Sequence, residues 1–213
     1  MKTKLILIAG LAGVGKTTAA ETIEGMHNSR THALADSIRQ DLEKFFGIPY
    51  DLTTNRVFKE MPFKNIAVHS EFKAPEYLDE VTPRKLMQTW GTEMFRKNIH
   101  KDYWLYRWVE FYKQVKSMDS VFCKKNHIEK EEAIWVIDDI RYANEITFFR
   151  RRKTSFKTFA IKIERPGFFP KENDHSSEKG IDDMSCDAIV NNDGTILDLR
   201  NKIEDVIESF IGK

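Results

Sequence analysis

The chain has 213 residues, 41% apolar and 31% charged, as expected of a globular protein that can bury a core without disulfide or metal staples. Its 34 Lys and Arg against 33 Asp and Glu leave a formal net charge of +1, which excludes a globally basic nucleic-acid binder and an acidic disordered chain. Cys123 and Cys186 form no metal-binding spacing, and no stretch approaches the ~20 apolar residues of a membrane span, so a reducing, cytoplasmic setting without membrane or nucleic-acid partners is expected.

The first predicted element is the apolar run Leu5 to Ala9. A short apolar run bounded by glycine reads as a buried parallel strand. It leads at once into a Gly-rich turn rather than a cleavage site, so no signal peptide is expected. A helix follows from Lys16 to about His27, then a weaker strand from Thr31 to Ala35. Asp36 is placed to cap a helix carrying Ile38, Leu42, Phe45 and Phe46, with Gly47 ending it. Residues 48–81 contain Pro49, Pro62 and Pro75 and read as an irregular insertion with short helical pieces. Thr82-Pro83 reads as the start of a helix to about Asn98, and Asp102 as the cap of a helix from Tyr103 to Met118.

Residues 119–132 read as a polar connector. Ala133 to Ile137 is a further strand, closed by Asp138 and Asp139, and Asn144 to Arg152 a short helix. Thr158 to Ile163 and Ala188 to Val190 are strands on either side of the polar loop 165–186. Thr195 opens a last amphipathic helix with Ile196, Leu199, Ile203, Val206, Ile207 and Phe210, and Thr195 with Asp198 resembles a capping box. The alternation of strands and helices implies an α/β fold, a parallel sheet covered on both faces.

Gly10-Leu-Ala-Gly-Val-Gly15-Lys16-Thr17 matches the P-loop pattern in full and lies between a strand and a helix, the context that confirms it. Its glycines turn backbone N–H groups toward a polyphosphate, Lys16 reaches the β- and γ-phosphates, and the Thr17 hydroxyl can ligate Mg²⁺. The expected set for binding ATP or GTP is Gly10, Ala12, Gly13, Val14, Gly15, Lys16, Thr17 and Thr18. Asp139, at the end of a buried strand beside this loop, is where Mg²⁺ needs a carboxylate; Asp138 competes for that role, and both could instead be turn acids. Arg84, Gln88, Gly91 and Thr92 recur at helical intervals and share a face, either a phosphate-binding or a solvated one.

Taken in order, the P-loop, Arg84 to Thr92, Asp102-Tyr-Trp104, Asp139-Ile-Arg141 with Asn144-Glu145, Glu164-Arg165-Pro-Gly, His175-Ser-Ser-Glu178 and Asn192-Asp-Gly194 resemble the phage-type deoxynucleoside monophosphate kinases. The resemblance covers most of the chain but not 48–81 or 119–132. It implies a three-layer P-loop NMP-kinase-like fold over residues 1–213 as one kinase domain, with a helical substrate-binding region at 48–118 and a lid at 150–180. It implies transfer of the ATP γ-phosphoryl group, with Mg²⁺, to a deoxynucleoside monophosphate in the (host) cytoplasm, and a homodimer as a family-level expectation.

The acceptor of such a transfer is already ionised, so positioning and charge neutralisation dominate. By family pattern Arg84 is assigned to the acceptor phosphate and Arg141 to phosphates near the transfer point. Arg150 and Arg151, with Arg152 beside them, are candidates for transition-state neutralisation, of which at most one or two can face the site, and Asp36, Arg39, Glu145 and His175 for the acceptor side. Trp104 is either a base-stacking or a core residue. Arg165, Asn192 and Gly194 are assigned to the adenine side of ATP.

Two other readings compete: a kinase directed at a hydroxyl, of dephospho-coenzyme A or nucleoside kinase type, with Asp36 as base, and a P-loop switch protein. The charge distribution favours an anion site. Arg141 to Arg165 has eight basic and two acidic residues, whereas Lys171 to Glu208 has four basic and eleven acidic.

Overall fold

The computed structural model describes residues 2–127, 133–169 and 184–212. Five strands, β1 (Thr3–Ala9), β2 (Ser29–Thr31), β3 (Ile134–Ile140), β4 (Phe156–Glu164) and β5 (Ala188–Asn191), form one sheet in the order β2-β3-β1-β4-β5. Every pairing is parallel. The chain divides into two compact units, Met1–Ala33 with Lys113–Lys213, and Leu34–Tyr112.

The first unit contains the sheet. β1 is its centre, and Leu5, Ile6, Leu7, Ile8 and Ala9 are wholly buried, which is why the strand reads as a continuous apolar run and not an alternating one. Ile6 and Ile8 pack with Ile23 of α1 (Lys16–Met26) and with Leu199, Ile203 and Ile207 of the last helix, Ile196–Ile211. Each such side chain contributes about 1.5–3 kcal/mol on burial. The Thr195 capping box forms as expected: its hydroxyl accepts from the Asp198 N–H at 3.2 Å, and Asp198 accepts from the Thr195 N–H at 2.7 Å. Ile196 does not join that core; it is exposed in the helix's first turn.

The second unit is helical. α2 (Leu34–Phe46) ends at Gly47, whose φ of +67° suits the left-handed cap. Four short helical pieces follow, and three of them start directly after a proline: α3 (Tyr50–Thr54) after Pro49, α4 (Phe63–His69) after Pro62, and a 3₁₀ turn (Glu76–Leu78) after Pro75; the fourth is a 3₁₀ turn, Phe58–Glu60. Leu42, Ile48, Leu52, Phe63, Ile66, Leu78 and Leu86 are their common core. Thr82 caps α5 (Pro83–Gln88) by accepting from the Lys85 N–H at 3.1 Å, with Pro83 in its first turn.

Several boundaries differ from expectation. The second strand is Ser29–Thr31, not 31–35, because Ala33 and Leu34 are buried at the start of α2. Asp36 therefore lies inside the first turn of α2 and is not its cap. After Gln88 the helix widens into a π-helix, Thr89–Lys97. Helix α6 runs from Tyr103 to Asn126, past Met118; no Gly or Pro interrupts 119–126, and Asp119 on that extension pairs with Arg30 of β2 at 2.8 Å. β3 continues through Asp138 and Asp139 to Ile140. Helix α7 spans Ala143–Arg150, which leaves Arg151 and Arg152 beyond its last turn; the last helix, Ile196–Ile211, is α8. No helix among the described residues is long and apolar enough to cross a membrane.

Candidate active site

In the sheet-bearing unit, the loop from Gly10 to Gly15 joins β1 to α1. Gly10 has φ +146°, and a Cβ there would lie 2.6 Å from the Ile163 carbonyl oxygen; no other residue fits that approach. Lys16 Nζ donates to the carbonyls of Gly10 at 2.8 Å and Leu11 at 2.7 Å, which holds the ammonium across the loop. The amino end of α1 has no side-chain cap and no acidic residue in its first turn. Its N–H groups and dipole are therefore open to an anion.

Beside this loop, β3 contains one extra residue relative to β1. Leu7 pairs with Ile137, but Ala9 pairs with Ile140. The resulting bulge contains Asp138 and Asp139, and bulges beside active sites re-aim side chains. Both residues thus lie beside the end of β1, from which the P-loop springs. Among the described residues no three His, Cys, Asp or Glu form a metal cluster. A hard cation that keeps waters and binds mainly phosphate oxygens needs only one or two protein ligands, so Thr17 with Asp139 or Asp138 fits Mg²⁺.

Glu145, expected on the acceptor side, is buried in the first turn of α7. Its Oε2 accepts the backbone N–H of Arg141 at 2.8 Å and of Tyr142 at 3.1 Å. It shapes the turn that carries Arg141 and is not placed for substrate. Arg150 and Arg151 also need correction. α7 starts just after Arg141 and has 8 residues, so it carries Arg150 about 12 Å along its axis. There Arg150 pairs with Asp187 at 2.9 Å, and Arg151 lies exposed at the helix end. Arg152 covers the ring of Phe148 at 3.4 Å.

Arg165 lies over the ring of Phe168 at 5.0 Å, at the rim of a cavity of about 320 Å³ that also takes in Leu11, Val14, Glu164, Phe169 and Asn191. Asn192 and Gly194, both expected on the adenine side, have other partners. Asn192 Nδ2 donates to the Val14 carbonyl at 2.8 Å, and a Cβ on Gly194 would meet the Asp198 carboxylate at 2.5 Å. His175 lies outside the described residues, as does the expected lid from 170 to 180.

In the helical unit, Asp36 Oδ1 accepts from Arg39 and, at 2.6 Å, from the Tyr50 hydroxyl. Burial, reinforced by the bond to Asp36, pushes the Tyr50 phenol up to about 12. Tyr50 was not legible as part of this group, because it lies fourteen positions along from Asp36 and beyond Pro49. Arg84 pairs with Glu60, a partner that the irregular 48–81 segment concealed. Gln88 and Thr92 are half-buried. Gly91 is buried: a Cβ there would meet Ile38 Cδ1 at 2.6 Å, and its carbonyl accepts the Trp104 indole N–H at 2.8 Å. The π-helix breaks the 3.6-residue face that Gly91 was expected to share with Arg84. Trp104 is buried against Phe95 and Tyr103; it is a core residue and not a stacking platform. Nearby, buried Asp41 accepts from Arg107 at 3.2 Å and from the Trp90 indole at 3.3 Å.

The chain is similar to several known proteins. The dephospho-CoA kinase of Campylobacter jejuni is 14% identical and aligns over 100% of this chain and 99% of its own, with a TM-score of 0.45. The APS kinase of Mycobacterium tuberculosis is 13% identical over 97% of this chain and 98% of its own, with a TM-score of 0.40. The deoxynucleotide monophosphate kinase of Enterobacteria phage T4 is 23% identical over 256 aligned residues, covering 96% of this chain and 99% of that one. The sequence model of the deoxynucleotide monophosphate kinase family matches residues 51–203, a span that excludes the P-loop and so adds to it independently. A match of that length, from α3 through β3, β4 and β5 into α8, shows that the chain belongs to the deoxynucleotide monophosphate kinase family: it is a kinase, with ATP as its co-substrate.

Proposed function

We propose that the protein transfers the γ-phosphoryl group of ATP to a deoxynucleoside 5′-monophosphate, giving the diphosphate and ADP. The observation that carries this reading beyond kinase membership is the state of Asp36. A hydroxyl acceptor needs a general base within reach, whereas two donors, Arg39 and Tyr50, converge on one oxygen of the Asp36 carboxylate. A monophosphate acceptor needs no base, because its oxygen is already ionised.

The work of the site is then to hold two anionic groups in line and offset their repulsion. Lys16 and the P-loop amides hold the ATP phosphates. Arg141, fixed through its own backbone by Glu145, neutralises charge near the transfer point, and Arg84 takes the acceptor phosphate in exchange for Glu60. The base of ATP lies toward the cavity beside Arg165. When bound, Mg²⁺ would draw charge from the phosphate oxygens, with Thr17 and Asp139 holding it directly or through water. The whole chain acts as one kinase domain, with 48–118 on the acceptor side and 150–180 as the lid, in the host cytoplasm, with small-molecule substrates and no nucleic-acid partner; two copies pair as a homodimer.

The test is a panel of deoxynucleoside and nucleoside monophosphates with Mg-ATP, read as ADP release. Acceleration by one or more deoxynucleoside monophosphates is expected. If no monophosphate accelerates ADP release, the assignment is wrong.

A further inference from the structure

We propose that Asn192 is a positioning residue for the ATP phosphates and acts through the P-loop, not through the base. The inference rests on the reading of the P-loop as the ATP-phosphate site.

Asn192 follows the last residue of β5. Its side chain reaches 178 positions back along the sequence to donate to the Val14 carbonyl at 2.8 Å. A carbonyl partner requires the amide nitrogen, not the amide oxygen, to face it. The peptide between Val14 and Gly15 is trans, so its C=O and N–H point in opposite directions. Holding the carbonyl against Asn192 therefore turns the Gly15 N–H to the other side of the loop. Successive N–H groups presented in this way are what a Gly-rich loop offers a polyphosphate.

The approach is close enough to dictate the residue type opposite. A Cβ on Gly15 would lie 2.9 Å from Asn192 Nδ2 and 2.8 Å from Leu199 Cδ2. Gly15 is thus required by this contact as well as by its φ of +109°.

Asn192 is itself anchored on both sides. Its backbone N–H donates to the Glu164 carbonyl of β4 at 2.7 Å. Lys202 of α8 donates to the Asn191 carbonyl at 2.9 Å and to the Asp193 carboxylate at 2.6 Å. The clasp therefore ties the P-loop to the sheet and to the last helix.

Two inhibitors separate the roles: inorganic tripolyphosphate, which has no base, and adenosine, which has no phosphate. Both are measured against ATP on the full chain, with calorimetric titration of tripolyphosphate alongside. Asn192→Ala is expected to weaken ATP and tripolyphosphate by the same factor, about tenfold for one lost hydrogen bond. Asn192→Asp, of the same shape, sets an acceptor against the Val14 carbonyl and is expected to weaken them more. Adenosine inhibition and the KM of the monophosphate are expected to stay unchanged. Thr195→Ala loosens the start of α8 without touching Val14 and is expected to leave tripolyphosphate affinity intact. Equal loss of adenosine, unchanged tripolyphosphate affinity in both Asn192 variants, or an equal loss in Thr195→Ala overturns the proposal. A wild-type chain that phosphorylates no monophosphate would sink the acceptor assignment and leave the tripolyphosphate measurement standing.

Discussion

The carboxylate of Glu145 accepts the backbone N–H of Arg141 at 2.8 Å, so an acid buried in α7 sets the backbone from which Arg141, proposed above to serve the phosphates, projects. Its second bond, to the Tyr142 N–H at 3.1 Å, satisfies another of the donors that a helix start leaves open. Glu145→Ala should destabilise the chain by about 1–3 kcal/mol, the cost of leaving such donors unmet, read as a lower melting temperature. It should also lower kcat more than Arg150→Ala does. Equal kcat effects would remove the distinction drawn between the two ends of α7.

Lys16 donates to two carbonyls of its own loop, contacts that ATP phosphates would replace. Lys16→Ala should reduce kcat by about 10²–10³-fold, the usual loss for one charge-stabilising donor. The melting temperature of the nucleotide-free protein should move little. Normal turnover in this variant would refute the phosphate-site reading.

Arg84 pairs with Glu60 at a partly exposed position. Arg84→Ala should raise KM for the monophosphate about tenfold or more and leave KM for ATP alone. Glu60→Gln should not raise it, because it removes a competitor for the guanidinium. A change confined to ATP would assign Arg84 to the wrong substrate.

Asp36→Asn separates the two acceptor chemistries. With a phosphate acceptor, most of kcat should survive, and the loss should resemble that of Tyr50→Phe, which removes a donor from the same oxygen. A fall of several orders of magnitude in the Asp36 variant alone would mark a general base and a hydroxyl acceptor.

Tyr50 also predicts a pH dependence. Its phenol rises from 10.0 to about 12 on folding, so the folded state keeps its proton where the unfolded chain has lost it. The resulting stability is fully present below pH about 10 and is lost as pH rises toward about 12. Urea unfolding of wild type and Tyr50→Phe on both sides of pH 10 should show a smaller alkaline loss in the variant. Identical slopes would contradict the bond to Asp36.

What the sequence determined by itself was local. The P-loop, the Thr82-Pro83 start, the Gly47 stop and the Thr195 capping box each depend on residues within a few positions of one another, and backbone chemistry at that range is legible without a fold. The continuous apolar run of β1 likewise announced a strand covered on both faces. What the tertiary structure decided was the set of partners. Asp138 and Asp139 read as a strand end, but pairing with β1 makes them a bulge. Trp104 could be read as a base platform as well as a core residue, and the Gly91 carbonyl and Phe95 claim it for the core. Asn192 read as a lining of the base site, and its amide instead holds a P-loop carbonyl 178 residues away. Asn, Asp, Trp and Arg side chains can satisfy several partners equally well in isolation. Which partner they take depends on which elements close packing brings within about 3 Å, and no spacing along the chain encodes that.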